Sequence, residues 1–175
     1  MTAALVRPPG LGDDAVAHLD AQIASARRLL EAVLSQGQAI RGRRVEEVIA
    51  RLTDIQAEMG RRAALEGSRT TILTSAGAAL GIAPHTVTID ALAALLAPVQ
   101  ETVARERSSE LRGLLAEIAR EHAINRALMR QELAFLDHLM RELGAEPATG
   151  YAALAGASPH PAVTRLPFRT LDLQA

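Results

Sequence analysis

The chain has 175 residues, 49% of them hydrophobic, a formal net charge of -1 and no cysteine. That length supports one domain with a substantial core, and the missing cysteines exclude disulfide frameworks, thiolate metal sites and cysteine nucleophiles. All nineteen basic residues are Arg, but a near-neutral balance without interleaved aromatics argues against a nucleic-acid partner.

The apolar residues are mostly Ala, Leu, Ile and Val, with two Phe, one Tyr and no Trp, a mixture that favours helices over twisted sheets. The expected fold class is therefore all-α. Proline occurs at 8, 9, 84, 98, 147, 159, 161 and 167, leaving 10–83 and 99–146 free of it. An interior proline costs a helix ~3 kcal/mol, so the long helices belong in those two stretches.

Residues 1–13 read as a flexible N-terminus without the apolar core of a signal peptide. A first helix is expected over about 14–39, because Leu19, Ile23, Ala26, Leu30, Val33, Gly37 and Ile40 recur at alternating intervals of four and three. Its end is expected in QGQAIRGRR, where Gly37 and Gly42 permit a reversal. In RGRRVEEVIAR, Glu47 lies four residues from both Arg43 and Arg51, so the basic run reads as helical self-pairing.

A second helix, about 44–80, follows Val45, Val48, Leu52, Ile55 and Met59. Its pattern slips near Arg62 and resumes through Leu65, Ile72, Ala76 and Ala79, before Gly81 and Pro84 stop it. A short helix at about 89–97 has Thr88 as its N-cap, and Pro98 separates it from the last helix. The most apolar runs, AGAALGIA and IDALAALLAPV, are about half the ~20 residues of a membrane span, so no membrane insertion is expected.

The last helix, about 99–143, carries a heptad-like series: Val99, Val103, Arg107, Leu111, Leu115, Ile118, His122, Asn125, Met129, Glu132, Leu136, Leu139 and Leu143. At 1.5 Å per residue such a helix is roughly 65 to 70 Å long, which implies an elongated antiparallel bundle. Leu114, Leu128, Leu133, Phe135 and Met140 widen the stripe to two faces. The first two helices are shorter, so residues 128–143 are expected to lack cover from their own chain and to need a partner.

Residues 145–175 turn rich in Pro, Ala, Gly and Thr and are expected to form a flexible tail. Val163, Leu166, Phe168, Leu171 and Leu173 are too many large apolar groups for an inert linker; the tail either docks on a partner surface or packs on its own bundle.

No constellation of an enzyme is present. His18, His85, His122, His138 and His160 never fall into H-E-x-x-H or E-x-x-H, and His122 and His138 are too far apart on one helix to share an ion. Nucleotide-cradling glycine motifs and a G-x-S-x-G elbow are also missing. The expectation is no catalysis, no metal and no cofactor. Asn125 stands out, either as a register pin or, with Glu132, as a source of hydrogen bonds for an incoming helix.

The stretches ARRLLEAVLSQGQAIRGRRVEEVIARLTDIQAEMGRRAAL and LRGLLAEIAREHAINRALMRQELAFLDHLMRELG resemble the first hairpin and the last long helix of FlgN-type flagellar type III export chaperones. The resemblance spans about 19–156. Asn125 matches the family's Asn, Leu128 and Met129 the apolar pair after it, and Leu133 and Leu136 continue that face. Tyr151 with Gly156 is similar to a terminal Tyr-Gly element, at wider spacing.

What the resemblance implies is a cytoplasmic chaperone for the C-terminal regions of hook-filament junction proteins (FlgK and FlgL type). It would deliver them to the export gate (FlhA type) at the inner membrane. The implied cargo-binding set is Asn125, Leu128, Met129, Glu132, Phe135, Leu136, Leu139, Met140 and Leu143, with Tyr151 at the gate. The competing expectation is a coiled-coil scaffold that forms homo-oligomers through the same stripe, with no transient client.

Overall fold

The structure, a computed structural model, describes residues 8–144. Residues 1–7, the tail at 145–175 and Tyr151 lie outside the described residues. The chain up to Asn125 forms one compact unit, and Arg126 begins a second, of which 126–144 are described.

The architecture is all-α. Its elements are α1 (Leu11–Arg41), α2 (Val45–Leu80), a 3₁₀ turn (Pro84–Thr86), α3 (Ile89–Ala93) and α4 (Pro98–Glu142). Among the described residues there is no strand. Asp13 and Asp14 sit in the first turn of α1, where carboxylates suit the helix dipole. Thr88 caps α3, its Oγ1 accepting from the Ala91 N–H at 3.1 Å. Pro98 opens α4, at a position where a missing N–H costs nothing.

The α1–α2 reversal falls later than Gly37. Helix α1 runs on to Arg41, and Gly42, Arg43 and Arg44 close it with N–H bonds to the carbonyls of Gln38, Ile40 and Ala39. The left-handed residue there is Arg43, with φ 52°, rather than a glycine. At the far end of α2 Gly81 takes φ 69°, and the Ile82 N–H reaches back to the Gly77 carbonyl at 3.0 Å, a Schellman closure.

Gly77 is required for a second reason. A Cβ there would lie 2.8 Å from the Ile82 carbonyl oxygen and 3.2 Å from backbone atoms of Pro84, none of which can swing away. Gly77→Ala is therefore expected to destabilise by about 1 to 3 kcal/mol despite alanine's better helix propensity. Urea midpoints would check it; a midpoint at or above the parent's would show that the chain at 82–84 yields freely.

The core joins Leu11, Ala15, Leu19, Ile23 and Ala26 of α1 to Ile72, Leu73 and Ala76 of α2 and to Ala104 and Leu111 of α4. Val87, Ile89, Leu92, Leu95 and Leu96, from α3 and its flanks, fill the same cluster. Polar ties put α4 parallel to α1 within this unit. Gln100 Nε2 donates to Asp13 Oδ1 at 2.6 Å, Arg107 pairs with Asp20 at 2.8 Å, and Arg27 pairs with Glu110.

Two expected seams shift. On α2 there is no slip at Arg62: Ile55, Glu58, Arg62, Leu65, Arg69, Ile72 and Ala76 keep the alternating three-four spacing on the covered face, whereas Val45 and Leu52 are exposed. Apolar counting fails there because charged residues occupy seam positions. Glu58 is 1% exposed and is held by Ser25 Oγ at 2.6 Å, Arg28 Nε at 3.1 Å and Arg61 Nε at 2.8 Å. On α4 the buried positions near its start are Ala104 and Ser108, while Val99 is exposed and Val103 half-buried. Small side chains at 104 and 108 suit close approach of the helices, so the covered face lies one residue, about 100°, from the Val99–Val103 line.

Candidate binding surface

Asn125 closes the first unit. Its side chain is 2% exposed, and Nδ2 donates to the Val33 carbonyl at 2.7 Å, with Gln36 Oε1 at 3.5 Å. Gly37 makes this approach possible, since a Cβ there would stand 2.5 Å from Asn125 Oδ1. The glycine that suggested a helix end thus serves as a socket for an amide. The Asn125 amide is engaged by α1 within this unit, the geometry expected of a register pin.

That assignment has a sign-changing test. Gly37→Ala alone is expected to cost about 1 to 3 kcal/mol by evicting the amide, and Asn125→Ala alone about 1 to 2 kcal/mol. In the Asn125→Ala background Gly37→Ala should become neutral or stabilising, because the Cβ then has room and alanine favours the helix. Additive losses in chemical denaturation would show that the two residues do not share the site.

In the second unit the character of α4 changes. Met129, Leu133, Leu136, Met140 and Leu143 fall within an arc of about 80° at 100° per residue, and Leu128, Glu132, Phe135 and Leu139 widen it to about 160°. Asn125 lies on the same sector. Of these residues only Leu128 and Glu132 are half-buried; Leu133, Phe135, Leu136 and Leu143 are 62%, 51%, 52% and 73% exposed, and Met129, Leu139 and Met140 are exposed as well. Arg130, Asp137, His138 and Arg141 lie outside that arc, where Arg141 pairs with Asp137 at 2.8 Å, and Arg126 borders it beside Leu133.

A face of this kind suits an apolar helix or strand from elsewhere and offers no chemistry of its own. Burying a half-exposed Leu or Phe is worth on the order of 1 kcal/mol, so the whole stripe can supply several before association costs. Met129 and Met140 add adaptable contact surface.

A second exposed apolar set consists of Leu34 on α1 and Val45, Ile49 and Leu52 on α2. Val45 and Leu52 are thus exposed where a covered seam is expected, and Leu34 and Ile49 are exposed as well. The signal was available, because 45, 49 and 52 form an apolar line of their own beside the charged seam.

Buried polar groups also lie within the first unit. Arg28's hydrogen bonds, assisted by Ser25 and Arg61, lower the Glu58 carboxyl from 4.5 to about 2 against the opposing effect of burial. His18 Nε2 lies 2.9 Å from Gln22 Nε2, and burial holds its pKa below 6.5, Glu66 and Arg69 being smaller, opposed influences. Among the described residues no three His, Asp or Glu gather as metal ligands, and no helix is long and apolar enough to cross a membrane.

The fold and this surface together define a helical bundle that presents an apolar helix end. The chain matches the family described as FlgN protein over residues 12–155, most of its length, and it belongs to that family of flagellar export chaperones. No curated protein and no solved structure is significantly similar to the chain.

Proposed function

We propose that this chaperone acts in the cytoplasm and holds the C-terminal amphipathic segments of hook-filament junction proteins (FlgK and FlgL type) on the exposed face of α4. It then hands them to the export gate (FlhA type). The supporting observation is the run of large apolar side chains exposed from Met129 to Leu143. Segments that become helical only after assembly would otherwise self-associate in the cytosol, and a helix-in-groove contact covers them.

The contact set is Leu128, Met129, Phe135, Leu136, Leu139, Met140 and Leu143, with Leu133 on the same face and Glu132 among them. Tyr151 is assigned to the gate on the family resemblance alone.

The test is titration of the full chain with a junction-protein C-terminal peptide, followed by calorimetry and light scattering. A defined complex at micromolar or tighter affinity supports the proposal. Concentration-dependent oligomers that ignore the peptide would replace it with the self-associating scaffold.

A further inference from the structure

We propose that the C-terminal segment of this same chain, centred on Leu166, Phe168 and Leu171, occupies the exposed face of α4 until cargo displaces it. The inference rests on the reading of that face as the cargo site.

The occupant is argued from tether length and chemistry. About 22 residues separate Gly144, the last described residue after α4, from Leu166. At 5 to 6 Å times the square root of the residue number, a flexible linker of that length spans roughly 25 Å. The stripe from Leu143 back to Met129 is ~21 Å long at 1.5 Å per residue. When linker span and target distance match, the effective concentration of the tethered group is near its maximum, in the millimolar range. A second copy of the chain at micromolar concentration competes poorly with that.

The segment also carries the chemistry the face lacks. Val163, Leu166, Phe168, Leu171 and Leu173 fall within eleven residues that hold only three charges, at Arg165, Arg169 and Asp172. On the helix, Leu133, Phe135, Leu136 and Leu143 are each more than half exposed. Left apart, both surfaces would remain hydrated; joined, they bury each other with no partner required. A weak intramolecular contact of this kind lowers cargo affinity without abolishing it, because cargo must first displace it.

The chain has no native cysteine among the described residues or elsewhere in its sequence, which makes the geometry directly measurable. Ala134→Cys lies on the side of α4 opposite the stripe and Gln174→Cys lies beyond the apolar segment. With both in the full-length chain, paired spin labels should give a narrow distance distribution by pulsed dipolar spectroscopy. Adding Phe168→Asp and Leu171→Asp should make it broad and longer.

A distribution that is broad from the outset, or indifferent to those substitutions, overturns the inference. In the cargo arm, the Phe168→Asp, Leu171→Asp chain should bind a junction-protein C-terminal peptide about 3- to 10-fold more tightly than the parent. Equal affinity would also overturn it while leaving the proposed function intact. A narrow distribution in a protein that binds no peptide would uphold the self-docked state and sink the cargo reading instead.

Discussion

Leu136→Asp is expected to weaken binding of a junction-protein C-terminal peptide by about 30- to 1000-fold while leaving the helical content unchanged. Within the described bundle the Leu136 side chain is 52% exposed, so the substitution removes little of the burial that holds α4 in place. Aspartate lowers helix propensity by at most ~0.7 kcal/mol, and position 136 lies more than one turn before the helix end at Glu142, outside the strongest reach of the dipole.

In the complex the situation reverses. Leu136 lies near the middle of the arc formed by Met129, Leu133, Met140 and Leu143, so a carboxylate there must be stripped of water beneath the bound segment. That desolvation, added to the lost leucine contact, amounts to roughly 2 to 4 kcal/mol.

Ala134→Asp supplies the control, introducing a carboxylate on the opposite, exposed side of the helix. It should leave both affinity and circular dichroism unaltered. If Leu136→Asp unfolds the chain, Leu136 belongs to a core; if it folds and binds normally, the stripe is not the cargo site.

The second large effect concerns acid. Glu58 sits at a seam position of α2 with its carboxylate held by Arg28, Ser25 and Arg61, and its pKa is lowered from 4.5 to about 2. A depressed carboxyl pKa means that the unfolded chain binds the proton more readily. The stabilisation is thus complete above about pH 4.5 and is lost as pH falls through about 2. At 1.36 kcal/mol per unit the shift would correspond to ~3 kcal/mol. The guanidinium side chains of Arg28 and Arg61 are more than half exposed, and screening at that edge reduces the figure to about 2 kcal/mol.

Glu58→Gln keeps the shape and removes the charge. It should cost about 2 kcal/mol at pH 7, and the gap from the parent should close progressively between pH 4.5 and 2. His18, buried and neutral, adds a parallel loss that begins as pH drops below 6.5, but it acts equally in both proteins. Urea unfolding at pH 7, 4 and 2.5 measures the gap; one that stays constant with pH would place the stabilising effect outside this carboxylate.

Helix identity is legible in the sequence because it follows from local rules. Proline-free stretches, the three-four recurrence in α1, Thr88 before α3, Pro98 at the start of α4 and Gly81 after α2 each act through the residue's own backbone chemistry or its next turn. The all-α class and the apolar sector from Leu128 to Leu143 follow from the same periodicity; the family was legible separately, from the resemblance of the hairpin and the last long helix to its members, and the match over residues 12–155 shows it.

Tertiary structure decided which of those positions are covered. Glu58 could enter the α2 seam because Ser25 and Arg28 on α1 and Arg61 one turn on satisfy it; a count of apolar residues sees a slip there. Gly37 reads locally as a helix breaker, yet α1 passes through it, since its missing Cβ receives an amide from Asn125 some ninety residues later. Ala104 and Ser108 displaced Val99 and Val103 from the covered face. In each case the deciding contact joins groups distant in sequence, and hydrophobic spacing along one helix carries no information about the partner that will satisfy a charge, fill a gap or leave a stripe bare.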